Sequence, residues 1–149
     1  MSNYIDEILG NDRVKLILTN IINSGNIPHA FLFTGEDGVG KENAVLAFTK
    51  ALNTQNSEGL NIEKITLLIQ NLSEPYIKYI LPLPHGKNET DQSDPYEKLN
   101  DDDIDLIKSE IKKKSENPFY RPNISRANFI KLSSIRDIKK FLSLNYDDV

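Results

Sequence analysis

Eight consecutive residues, Gly35-Glu36-Asp37-Gly38-Val39-Gly40-Lys41-Glu42, constrain this chain more than any other stretch. They fit the pattern G-x-x-x-x-G-K, and the flanks decide what the pattern means. Before it stands Ala30-Phe31-Leu32-Phe33-Thr34, a continuous apolar run that reads as a short strand buried on both faces. After it, Ala44, Val45, Phe48, Ala51 and Leu52 mark one face of a helix. Strand, glycine-rich turn and helix form the context of a phosphate-binding loop. Glycines let the backbone curl until successive N–H groups converge on phosphate oxygens. The helix start contributes the positive end of its dipole, and the lysine contributes a point charge. The plainer alternative is an ordinary glycine-rich turn ahead of a helix.

The loop departs from a working one at a single telling position. The residue after the lysine is ordinarily Ser or Thr, whose hydroxyl ligates Mg²⁺. Here it is Glu42, which places negative charge where phosphate must sit, and Asn43 lies one residue too late to substitute. The second half of an ATPase, an apolar strand ending in Asp or Asp-Glu, is also missing. Tyr79-Ile80-Leu81 runs into Pro82, and Phe129-Ile130-Lys131-Leu132 runs into Ser133-Ser134. Asn145-Tyr146-Asp147-Asp148-Val149 has no apolar run before its acids. No catalytic residue and no metal ligand is assigned, and ATP hydrolysis by this chain alone is not expected.

Elsewhere the periodicity predicts mostly helices. Residues 14, 17, 18, 21 and 22 are apolar at helical spacing, so a helix runs from about 12 to 24, with Asn11 or Asp12 as N-cap and Gly25 at its end. Residues 53–59 read as a loop. Ile62, Ile65, Leu68, Ile69 and Leu72 make a further helix, closed by Ser73-Glu74-Pro75. Tyr76 to Leu81 reads as a second strand and Phe129 to Leu132 as a third. Between them, Ile104, Ile107 and Ile111 edge a helix capped by Asp101, Asp102 or Asp103. Ile135, Ile138, Phe141 and Leu142 mark a last helix.

Charge is partitioned along the chain. Residues 1–88 hold nine acids and seven bases, residues 89–110 nine acids and two bases, and residues 111–149 four acids and nine bases. A whole-molecule basic field for nucleic acid is therefore absent, and any DNA contact must be local. The run Asp101-Asp102-Asp103 reads as complementing a helix dipole in place of binding metal. Zero cysteines exclude a disulfide framework and a thiolate zinc site, and two histidines, His29 and His85, cannot make a histidine-rich centre. No apolar run is long enough to span a membrane and no secretory signal opens the chain, so a cytoplasmic protein is expected.

Longer strings extend the comparison. Ile8-Leu9-Gly10-Asn11, the helix after it, Ile27-Pro28-His29-Ala30-Phe31-Leu32-Phe33-Thr34-Gly35 and the loop itself resemble the N-terminal AAA+ module of bacterial clamp-loader subunits, those of delta-prime type in the DNA polymerase III clamp loader in particular. Asn128 to Ile138, with its Ile135-Arg136 pair, resembles the element that precedes the Walker B strand in the same family.

The resemblance implies an α/β fold, a three-layer P-loop NTPase (AAA+) domain with a mainly parallel sheet. Residues 1–149 would be the N-terminal part of one such domain, incomplete here, with an acidic insertion at about 84–125. It implies a clamp-loader subunit of the DNA polymerase III holoenzyme in DNA replication, a structural member with a degenerate ATP site that neither polymerises DNA nor hydrolyses ATP. The alternative is an ATP-binding, gamma-like ATPase subunit whose Walker B lies beyond residue 149. The implied vestigial site comprises Gly35, Gly38, Val39, Gly40, Lys41, Glu42 and Asn43, with Leu9 and Gly10 from the box that approaches adenine. ATP and Mg²⁺ are expected to bind weakly or not at all, and zinc is excluded. Partners would be other clamp-loader subunits, with the sliding clamp and primed DNA reached through the assembly and no membrane involved. Arg136 is expected to be structural or close to DNA.

Overall fold

The computed structural model describes residues 4–55 and 59–143. Residues 56–58 of the expected loop and the acidic closing segment 145–149 lie outside the described residues. A 3-10 turn over Tyr4–Glu7 is followed by α1 (Asp12–Ser24), α2 (Lys41–Thr54), α3 (Leu60–Gln70), α4 (Asp101–Glu116) and α5 (Leu132–Leu142). The chain divides into two units, Met1–Ile77 with Ser115–Tyr120, and Lys78–Lys114 with Arg121–Val149.

The first unit is built around α2. Ala44, Ala47 and Phe48 are buried along one face of it, against Ile5 and Ile8 at the chain start and Leu18 of α1. Full burial of a side chain the size of Phe48 is worth about 2–3 kcal/mol, so this face sets the pose of the helix. Polar contacts then fix its direction. Lys50 Nζ donates to the Glu7 carboxylate at 2.9 Å, and Tyr4 and Thr66 join hydroxyls at 2.9 Å, bringing in α3. The span of α1 is the one its periodicity predicts. Asn11 accepts from the Val14 N–H at 3.3 Å, a cap worth about 1 kcal/mol, and Gly25 closes the helix at φ 65°.

The expected α/β sheet is contradicted: among the described residues no segment is a strand. A strand exists only when a neighbour takes up its N–H and C=O groups, and apolar runs alone do not supply that neighbour. In Ala30–Thr34, the Phe31 ring meets Phe48 edge-on at 5.1 Å and Phe33 leans on the same core, but Leu32 is 89% exposed. The segment is thus covered on one side only. Tyr76–Leu81 feeds into Pro82 and the buried Pro84, neither of which has an N–H to donate to a ladder. Phe129–Leu132 is inverted relative to a buried strand. Phe129 is 81% exposed while Lys131 is buried, and Leu132 already belongs to α5.

In the second unit charged side chains stand where a larger core would put apolar ones. Leu81, Leu83, Ile107 and Ile124 form a small cluster. Around it, Asp103 accepts from Arg126 at 2.6 Å, and Glu110 accepts from the Asn123 N–H at 2.6 Å. These contacts tie residues 121–127 to α4. The cap of α4 is also a correction: Asn100, one residue ahead of the aspartates, accepts from the Asp103 N–H at 2.7 Å.

The acidic loop is folded back as well. Lys131 Nζ reaches the Glu89 carboxylate at 2.7 Å and the Pro95 carbonyl at 3.0 Å, with the two charged side chains 1% and 5% exposed. Gly86 donates to the same carboxylate at 2.7 Å, and a β carbon at Gly86 would lie 2.1 Å from the Lys98 carbonyl, so only glycine permits this crossing.

Burial alone would push the Glu89 carboxyl up, but the Lys131 and Gly86 hydrogen bonds, with the Lys131 charge, hold it below its ordinary value near 4.5. The stabilisation is therefore complete above that value and is lost as pH falls through the lower folded one. Lys131→Met leaves a buried carboxylate without its cation and should lower unfolding free energy by about 3 kcal/mol at neutral pH. Urea denaturation from pH 7 to 3 checks this, with the gap between wild type and variant closing at the acid end.

Candidate functional site

The glycine-rich loop leads directly into α2, so the burial that poses α2 also aims the loop. Gly40 is the N-cap residue at φ 88°, and Gly38 sits at φ 81°. Both lie in the left-handed region, where a side chain is strained, which explains the glycines without reference to any ligand. Val39 is 58% exposed, and its N–H approaches the Glu36 carbonyl at 3.4 Å.

The lysine is turned inward. Lys41 Nζ donates to the Gly35 carbonyl at 3.0 Å and to the Glu36 carbonyl at 2.7 Å. Its ammonium thus closes the loop on itself, and to meet a phosphate it must exchange those two partners. Glu42 is exposed on the first turn of α2, where it complements the helix dipole. A carboxylate there competes with a phosphate for the same N–H groups and the same positive field. Among the described residues no cluster of His, Cys, Asp and Glu has the makings of a metal site.

Asn43 follows on the first turn of α2. It is buried, and its Nδ2 donates to the Glu7 carbonyl at 3.1 Å. Leu9 is 73% exposed, and Gly10 takes φ 66° just before the α1 cap. The start of the chain meets α2 through Glu7, by its carbonyl to Asn43 and its carboxylate to Lys50. The loop residues Gly35 to Glu42 are therefore brought together, and Asn43 is a strut behind them.

In the second unit a cavity of about 340 Å³ lies beside α5, lined among others by Asp91, Ser133, Arg136 and Lys140. Arg136 donates to the Asp91 carbonyl at 2.6 Å, and Lys78 pairs with Asp137. Ser133 Oγ is buried and has no hydrogen-bond partner among the described residues. Neither Ser133 nor the buried Lys131 carried a signal in the sequence: Lys131 sits where an apolar strand is expected, and Ser133 lies just past the end of that run.

Comparison with known proteins gives the chain its place. The family described as DNA polymerase III, delta subunit, matches residues 10–145. The DNA polymerase III subunit gamma/tau of Mycoplasma pneumoniae is 36% identical over 53 residues, 36% of this chain and 8% of that protein. The subunit of the same name from Mycoplasma genitalium is 32% identical over 56 residues, 38% of this chain and 9% of that protein. The matched stretch thus spans less than a tenth of either relative. No solved structure matches the chain.

Asn43→Ala removes the strut and leaves the Glu7 carbonyl short of its donor. A loss of about 1 kcal/mol in unfolding free energy is expected by urea denaturation, with α2 retained by circular dichroism.

Proposed function

The chain belongs to the DNA polymerase III delta-subunit family, and from that premise we propose that it is a clamp-loader subunit of delta-prime type, a structural member that does not hydrolyse ATP. The observation that carries the reading is the loop itself. Lys41 is hydrogen-bonded to the loop's own carbonyls, and Glu42 stands where a magnesium-binding hydroxyl belongs. These residues do not fit a magnesium nucleotide, and no catalytic step is assigned to them. The protein acts in the cytoplasm through contacts with neighbouring loader subunits, and it reaches the sliding clamp and primed DNA through the assembly. Arg136 in the middle of α5 and Lys140 in its last turn are its candidate contacts to DNA phosphate. No helix among the described residues is long and apolar enough to cross a membrane.

A second reading, an ATP-binding subunit of gamma type, draws on the gamma/tau relatives named above. Titration with a fluorescent ATP analogue, with and without Mg²⁺, separates the two. The structural reading expects no saturable binding by wild type and a weak Mg²⁺-dependent gain in Glu42→Thr. Tight Mg²⁺-dependent binding by wild type, lost in Lys41→Ala, would establish the gamma-type reading in its place.

A further inference from the structure

A phosphate loop works by keeping its inner N–H groups open to the anion. In this protein a distant segment of the same unit lies against that loop. Asn117 follows α4, and Pro118 after it cannot continue the helix. The Asn117 side-chain oxygen accepts from the Phe119 N–H at 3.0 Å, and its carbonyl accepts from the Tyr120 N–H at 2.8 Å. One residue therefore closes the turn twice, and the turn carries Phe119.

The edge of the Phe119 ring stands 3.5 Å from where a β carbon on Gly40, the N-cap of α2, would be, so the ring lies beside the helix start. The ring is 54% exposed. It is thus not placed by burial in a core: its turn holds it beside Gly40. On the same loop Lys41 is held by the Gly35 and Glu36 carbonyls. A triphosphate docking on Gly38–Lys41 has to draw the lysine away from two carbonyls and move an aromatic ring from the helix start.

We propose that the Asn117–Tyr120 turn caps the phosphate loop, with Phe119 as the steric determinant that keeps a nucleoside triphosphate off Gly38–Lys41. The proposal rests on the structural reading of the loop given above and adds a physical cause that lies outside the motif. A degenerate motif alone weakens binding through charge, whereas the cap blocks it through volume, and the two are separable by mutation.

The test is a titration of the 149-residue chain with the fluorescent ATP analogue in Mg²⁺. Phe119→Ala and Phe119→Tyr are each placed in the wild-type and the Glu42→Thr backgrounds, with circular dichroism to verify folding. In any background where binding is measurable, Phe119→Ala should raise affinity about tenfold. Phe119→Tyr, which keeps the ring, should leave it unchanged. Asn117→Ala, which keeps the ring but removes one of the two bonds closing its turn, should fall between them. Equal affinities with and without the ring overturn the cap, and so does a folded Phe119→Ala, Glu42→Thr protein with no binding at all. Tight binding by wild type would end the structural reading, while the comparison of Phe119 variants would still decide the cap.

Discussion

Burial of one face of α2 against the chain start and α1 is the constraint on which the first unit depends, because the helix and the glycine-rich loop are one continuous piece of backbone. Ala44, Ala47 and Phe48 hold the face, while Asn43 and Lys50 reach the carbonyl and the carboxylate of Glu7. Apolar area fixes how deep the helix sits, and the two polar contacts fix its rotation and register. The loop is then aimed whether or not any ligand binds. Its supports are the packing of Ala44, Ala47 and Phe48 and the hydrogen bonds of Asn43 and Lys50.

The second unit is organised by charge as much as by apolar contact. Its small apolar cluster is supplemented by Lys131 with Glu89, Arg126 with Asp103 and Glu110 with the Asn123 N–H. The acidic stretch, which composition presents as a solvated face, is partly drawn inward by these pairs. Removing Lys131 leaves the buried Glu89 carboxylate without its cation, so the acidic loop and the start of α5 are held in mutual register more firmly than their apolar content implies.

Where the sequence was legible, local physics was sufficient. The bounds of α1 follow from its 3.6-residue apolar period and from Asn11 and Gly25 at its ends, and α2 follows from Ala44, Phe48 and Ala51. The strands were misread because pairing is not a local property. Ala30–Thr34 has the composition of a buried strand, yet Leu32 faces solvent and among the described residues no strand pairs with it. Lys131 was hidden for a related reason: inside an apolar run a single lysine reads as the exposed alternate, and only its partner 42 residues away reverses that. At the candidate site the motif Gly35–Lys41 was readable in full. The strut role of Asn43 and the placement of Phe119 beside Gly40 were not, since each depends on a residue far away in sequence.

The central claim is that this loop is structural in the assembled loader. Steady-state ATP hydrolysis by a reconstituted polymerase III loader assembly, containing either the wild-type chain or its Lys41→Ala form, tests it most directly. The account predicts equal DNA-stimulated rates at equal assembly, because Lys41 is held by the carbonyls of its own loop. A marked fall in rate for an intact assembly carrying Lys41→Ala would contradict it and place this chain among the hydrolysing subunits.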